Sequence, residues 1–384
     1  MLVRLTFHNH RSKKAGIIRT ELKETCRMAM STSMSEIIVQ EEGSKRILTL
    51  NRPKALNALN LSMVREIYPR FKKWEDGGDV SMIILKGSGE KAFCAGGDVL
   101  AVTRSAKEAA SGGTSTIHKD FFREEYRLNH LIGSLSKTFV AFIDGIVMGG
   151  VNGRFRVGTE RTLLAMPETA LGLFPDVGGS FFLSRLKDNL GLYLALTGYR
   201  LHGADAYHAG LATHYVASSR LKDLQNKLLT MERVTHDEVD AVIREFQPSN
   251  IPTFSLEEHL PVIKKTFYAK TVEEIFENLR AINSEWSKEQ LKTLSKMSPT
   301  SLKVTFKQLE NGAKMKFGEV FTMEYRLAQR FLKDHDFYEG CRAILIEKDR
   351  NPKWIPERLE DVTDAVVERY FDPLGCDDLI FDGY

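Results

Sequence analysis

Apolar and polar positions fall into a regular pattern from about Glu36 onward. Ile37–Glu41 and Arg46–Leu50 are short apolar-rich runs separated by Glu42-Gly43-Ser44, the signature of a hairpin. Asn51-Arg52-Pro53 stops the second run, and Leu61–Trp74 repeats its apolar residues at helical spacing. Ser81–Lys86 (SMIILK) and Phe139–Ile143 (FVAFI) are short, almost wholly apolar runs and predict buried strands. Phe121–Leu135 has helical spacing, and Thr162–Ala165 predicts one more short strand before Pro167. Strand, strand, helix, repeated, is the order of an α/β or mixed fold. Beyond about Leu221 the pattern turns helical almost throughout. Thr271-Val272-Glu273-Glu274 reads as a capping box, Ser298-Pro299 as an N-cap with proline in the first turn, and Phe317–Asp334 as a long amphipathic helix. The expected division is therefore a core over 35–220 and a helical region over 221–384.

Composition adds the first segment. Of the 384 residues, 42% are hydrophobic and 27% charged, which suits a soluble globular chain, and no apolar run is long enough to span a bilayer. The net charge is +3, yet residues 1–34 alone hold seven Lys/Arg against Glu21 and Glu24, leaving the rest at −2. The body thus lacks the basic face a nucleic-acid partner requires. The basic, acid-poor start, ending in Ser31-Thr32-Ser33, reads as a mitochondrial targeting segment. Cys26, Cys94, Cys341 and Cys376 are scattered with no metal spacing, which fits a reducing compartment such as the mitochondrial matrix.

Three stretches carry candidate chemistry. Phe93-Cys94-Ala95-Gly96-Gly97-Asp98 follows one apolar strand, and Gly145-Ile146-Val147-Met148-Gly149-Gly150 follows another. Either turn alone is equally well a tight corner. As an ordered pair, they can present two backbone N–H donors to one carbonyl oxygen and hold it as an oxyanion. The third is Met166-Pro167-Glu168-Thr169-Ala170-Leu171-Gly172-Leu173-Phe174-Pro175-Asp176-Val177-Gly178-Gly179. Its two carboxylates each follow a proline in apolar, glycine-rich surroundings, where burial raises an acid toward general acid/base duty. Spacing alone leaves Asp176 divided between that duty and a helix N-terminal charge before a helix over Gly178–Leu186. The dinucleotide and phosphate-loop fingerprints are absent, Ser180 is not in GxSxG, Cys94 suits packing, and His202, His208 and His214 lack metal-ligand spacing.

Asn51-Arg52-Pro53…Asn57-Ala58-Leu59, then AFCAGGD, DGIVMGG and MPETALGLFPDVGG, stand in the order seen in the crotonase superfamily. With FFREEY, LALTGYRL, MSPTSLK, TMEYRL and HDFYEGCRA, the chain resembles the branch that hydrolyses 3-hydroxyisobutyryl-CoA, from Ile37 to the C-terminus. That resemblance implies a spiral of ββα units with a helical C-terminal region. It also implies cleavage of an acyl-CoA thioester in valine catabolism, with 3-hydroxypropionyl-CoA as a second substrate. By the same resemblance, Gly97 and Gly150 form the oxyanion hole, and Glu168 is the principal catalytic carboxylate, as nucleophile or as base for water. Asp176 takes the substrate's 3-hydroxyl or assists proton transfer, Glu125 contacts substrate, and Lys54 is a weaker candidate for a CoA phosphate. CoA enters as part of the substrate, so no cofactor or metal is expected. A homo-oligomer is compatible with this reading, and neither nucleic acid nor membrane is expected as a partner.

The chain departs from that family after Gly150. Relatives have a third glycine and further helical residues before the equivalent of Val151-Asn152-Gly153, and a loss of about five residues removes more than one helical turn. Two outcomes are open: a shortened helix re-forms over Val151–Arg154, or Gly150 loses the helix that aims its N–H. The second would make the chain a weakly active or non-catalytic relative. Familiar hydratases of this superfamily use a second glutamate just after the oxyanion turn. Val151-Asn152-Gly153 offers none there, which disfavours hydration.

Overall fold

The structure, a computed structural model, describes residues 35–150 and 152–381; the expected targeting segment lies outside them. Among the described residues ten short strands make two sheets. β1 (Ile37–Glu42), β2 (Lys45–Leu50), β3 (Met82–Gly87), β5 (Thr138–Ile143), β7 (Phe155–Gly158) and β10 (His214–Tyr215) form one, in the order β1-β2-β3-β5-β7-β10. β4 (Ala92–Cys94), β6 (Ile146–Met148), β8 (Leu163–Ala165) and β9 (Leu201–His202) form the other, in the order β4-β6-β8-β9. The expected hairpin is present: β1 and β2 pair antiparallel from Ile37↔Leu50 to Glu42↔Lys45, and Gly43 takes a positive φ of 53° in the two-residue turn.

From β2 onward the first sheet is parallel, and its registers run straight across, as in Leu48↔Leu85 and Leu85↔Ala141. Parallel strands are covered on both faces, which is why SMIILK and FVAFI carry no polar alternation. Ile83, Leu85, Phe139, Ala141 and Ile143 face the main core. Met82, Ile84, Val140 and Phe142 face a second core with Val216, Leu224, Leu228, Val239 and Ile243. Each repeat thus sends one strand to each sheet. Helices α1 (Leu61–Asp76) and α2 (Val99–Ala110) both pack on α3 (Ile117–Ser134).

The fold is mixed α/β with a helical region after β10, as the sequence implied. Several local expectations shift. The helix expected over Gly178–Leu186 is a single turn, α4 (Gly179–Phe182), followed by a 3-10 turn Leu183–Arg185, because Leu186 has extended backbone. Thr271 does cap its helix through the Glu274 N–H, but the Glu274 carboxylate accepts from the Lys270 N–H and so does not close a box. The reciprocal box occurs at Thr235 and Glu238. The long amphipathic helix that starts at Phe317 stops at Phe331 rather than Asp334.

Candidate active site

The second sheet assembles the site. β4, β6 and β8 are adjacent and parallel, so their C-terminal ends lie side by side. From those three ends emerge Ala95-Gly96-Gly97, Gly149-Gly150 and Met166-Pro167-Glu168. Crevices at the carboxyl ends of parallel strands are where α/β sheets bind ligands. The two glycine turns meet closely: a Cβ on Gly96 would sit 3.2 Å from the Met148 carbonyl oxygen, so a larger residue would push them apart. Gly96 (φ 87°) and Gly149 (φ 79°) are also left-handed, a backbone that glycine adopts without strain. Among the described residues, no backbone acceptor takes the N–H of Gly97 or Gly150.

The first motif holds the second in place. Arg52 donates to the Asp98 carboxylate at 3.1 Å from two nitrogens, and Asp98 caps α2 through the Ala101 N–H. Asn57, fully buried, accepts from the Arg52 N–H and donates to the carbonyls of Ser88 and Ala92. Beside this turn lies a cavity of about 440 Å³ lined by Pro53, Lys54, Asn57, Ser88 and Lys91. Lys54 therefore borders open space, while the buried carboxylates lie elsewhere.

Those carboxylates are brought together. Glu125 on α3 is 3% exposed, which excludes the surface position a helical acid ordinarily takes. Its Oε1 would lie 3.4 Å from a Cβ on Gly97. Glu168 opens a 3-10 turn, Glu168–Leu171, that ends at left-handed Gly172. Its Oε1 would lie 3.9 Å from a Cβ on Gly149, and its Oε2 is buried without a hydrogen-bond partner. Asp176 is not a helix N-terminal charge; its Oδ2 accepts from the Tyr126 hydroxyl at 2.8 Å, both groups being buried.

Burial raises every one of these acids, since the charged form loses its hydration. Glu125 and Glu168 are pushed well above the usual carboxylate range, first by burial and then by the neighbouring Asp176 charge. Asp176 is raised to about 6 by burial, with the Tyr126 hydroxyl opposing. Buried carboxyls this close do not all ionise at neutral pH, and Asp176, holding a donor, keeps the charge most readily.

Residues 45–371 match the sequence family described as enoyl-CoA hydratase/isomerase. The chain belongs to the enoyl-CoA hydratase/isomerase family. This bears out the crotonase resemblance. The chain is 48% identical to the mitochondrial 3-hydroxyisobutyryl-CoA hydrolase of Rattus norvegicus, over 96% of each chain. It is 51% identical to the Xenopus laevis protein of the same name, over 89% of this chain and 90% of that one. Among solved structures, a carnitinyl-CoA dehydratase from Mycobacterium thermoresistibile superposes with a TM-score of 0.82 at 38% identity, covering 91% of this chain and all of that one (100%).

Two features of this family member are not announced by its motifs. Tyr126 was within FFREEY, but its apolar ring hid its role as the donor to Asp176. Glu324, within TMEYRL, is fully buried and accepts from Gly178 and Ser180. Its signal was present in the sequence as one acid on the otherwise apolar face of a helix. Between Met148 and Phe155 no described residue is helical: of the helix expected over Val151–Arg154, Asn152, Gly153 and Arg154 form none, and Val151 lies outside the described residues. Asn152 reaches instead to the Val177 carbonyl at 2.9 Å. Among the described residues, no group of three or more His, Cys, Asp or Glu is placed to hold a metal, and no helix is long and apolar enough to cross a membrane. Cys94 is buried and raised to about 12, in keeping with packing.

Proposed function

We propose that this chain hydrolyses the thioester of 3-hydroxyisobutyryl-CoA, and of the related 3-hydroxypropionyl-CoA, to the free acid and CoA. The reaction belongs to valine catabolism in the mitochondrial matrix. The observation that carries the reading is the lone Oε2 of Glu168, buried and unpartnered beside the Gly149-Gly150 turn. A polar atom left in that state costs free energy unless a ligand or water completes it.

In this reading the thioester carbonyl oxygen lies between the N–H groups of Gly97 and Gly150, which stabilise the charge that develops on it, Gly150 being the weaker donor for want of a helix behind it. Glu168, once ionised, attacks the carbonyl carbon or takes a proton from an intervening water. In the first route a Glu168–acyl anhydride forms as the C–S bond breaks, and water then cleaves the anhydride to the free acid and regenerates the carboxylate. In the second, water adds to the carbonyl carbon and the C–S bond breaks directly. In both the CoA thiolate leaves and is protonated. Asp176, fixed by Tyr126, accepts the hydrogen bond of the substrate's 3-hydroxyl, and Glu125 lines the acyl pocket beside Gly97. Lys54 and Lys91, at the cavity rim, suit the phosphates of CoA.

Hydration of an enoyl-CoA is the competing activity of this fold. The test is to supply 3-hydroxyisobutyryl-CoA and crotonyl-CoA separately, following free thiol and loss of the double bond. Hydrolase activity releases thiol from the first and leaves the second intact. Glu168→Gln preserves shape and removes the ionisable group, so turnover should fall by ~10²–10⁴-fold with acyl-CoA binding retained. Near-parental turnover in that variant would rule out Glu168 as the reacting group.

A further inference from the structure

We propose that Glu324 is a positioning residue for this hydrolysis, clamping the turn that carries Asp176 from the far side of the site; the inference rests on the hydrolase reading above. Glu324 lies on α6 (Phe317–Phe331), with α5 (Pro299–Gly312) before it. It is wholly buried on a face otherwise made of Val320, Phe321, Leu327, Ala328 and Phe331. Among the described residues no cation pairs with it, so its burial is a stability cost unless hydrogen bonds offset it.

All of those hydrogen bonds go to one turn. Oε2 accepts from the Gly178 N–H at 2.8 Å, and Oε1 accepts from the Ser180 N–H at 3.0 Å and the Ser180 hydroxyl at 2.7 Å. The turn needs holding. Val177 has a φ of 51°, a left-handed backbone that a β-branched residue adopts only under constraint. Gln308 on α5 adds bonds from its Nε2 to the Pro175 carbonyl at 2.5 Å and to Ser180 Oγ at 2.8 Å. Asn152 holds the Val177 carbonyl from the other side. Residues on both sides of Asp176 are thus pinned from outside, while the Asp176 side chain is left to Tyr126. Strained backbone kept in place next to a substrate-binding carboxylate points to position, not to packing alone.

Glu324→Gln places an NH₂ where the Gly178 N–H points, two donors facing each other, so the turn loses its anchor. With 3-hydroxyisobutyryl-CoA, kcat should fall by about 10²-fold, the loss expected when a catalytic group is displaced by ~1 Å, with KM little changed. Because Glu324 acts through Asp176, the same substitution in an Asp176→Asn background should cost less than about threefold. Ser180→Ala removes the hydroxyl that donates to Glu324 and accepts from Gln308, and keeps both N–H bonds. It should cost about fivefold, again only while Asp176 is present, and it carries the test should Glu324→Gln fail to fold. A loss of the same size in both backgrounds would overturn the proposal, as would parental kcat in both variants. Amide exchange at Gly178 and Ser180 reads the clamp without turnover. It should accelerate in Glu324→Gln while exchange in β3 and β5 stays slow, and unchanged protection of the two amides would sink the clamp. Glu168→Gln, run alongside, separates the two ideas. If it loses activity while the Glu324 variants do not, only the clamp fails; if the parent releases no thiol, the hydrolase reading fails and exchange alone judges the clamp.

Discussion

Asp176→Asn should make the protein more stable while impairing it, and the size of the gain follows from the site. Burial lifts the Asp176 carboxyl from its ordinary 3.8 to about 6. At about 1.4 kcal/mol per unit, its ionised form costs the folded chain about 3 kcal/mol. The folded value is the higher one. The favourable contribution is therefore complete below the unfolded value near 3.8 and is lost as pH rises through about 6. Asparagine carries no charge to desolvate, and its Oδ1 still accepts from the Tyr126 hydroxyl, so that donor is not orphaned. The variant should gain about 3 kcal/mol above pH 7 and nothing below pH ~4. With roughly 350 folded residues at about 2.1 cal/mol/K each, that gain is about 4 °C in melting temperature. Melting curves for parent and variant at half-unit steps from pH 4 to 8 measure it. A gain that does not change with pH, or a loss of stability at pH 7.5, would refute the view that Asp176 is held ionised against its burial.

The same variant should lose more activity on a 3-hydroxyacyl-CoA than on the acyl-CoA lacking the hydroxyl, because only the former leaves a buried polar group poorly matched; equal losses would place Asp176 in proton transfer instead. Hydrolysis should rise with pH through neutrality, since Glu168 must lose a proton that burial and the Asp176 charge make it hold well above the usual range. A rate already level at pH 5 would contradict this. Inserting Gly-Val-Gly-Leu-Ser between Gly150 and Val151 restores a helix behind the second oxyanion donor, and should raise turnover toward the ~10²–10³-fold that one such donor is worth, along with the melting temperature. A parent as fast and as stable as the insertion form would show that the short connection is harmless.

The parts of the fold that could be read in advance were those whose burial is uniform along the element. SMIILK and FVAFI are covered on both faces, and Leu61–Asp76 keeps Leu61, Val64, Ile67, Phe71 and Trp74 inside at helical spacing despite Pro69. The second sheet was harder to see. Its strands are two or three residues long, too short for a period to register; β8 was expected at Thr162–Ala165, while β4, β6 and β9 are defined by tertiary contacts. Glycine turns and proline-flanked acids announced most of the site because backbone freedom and rigidity are written in residue type. The partners of those acids were not. Tyr126 and Glu324 sit on helices where spacing fixes a face but not what that face touches, and Glu324 meets its turn across 144 residues of sequence.

The loop from Glu168 to Ser180 is enclosed by parts of the chain made much later. Gly172 packs against the Asp336 carbonyl, the Thr169 carbonyl accepts from the Ser298 N–H, and Gln308 and Glu324 hold Pro175, Gly178 and Ser180. A nascent or partly imported chain that has presented only its first 220 residues has every reacting group and none of these supports. Thioester cleavage should therefore report completed folding: all of these supports lie between Ser298 and Asp336, and a chain truncated before Phe317 should be inert however well its sheets form.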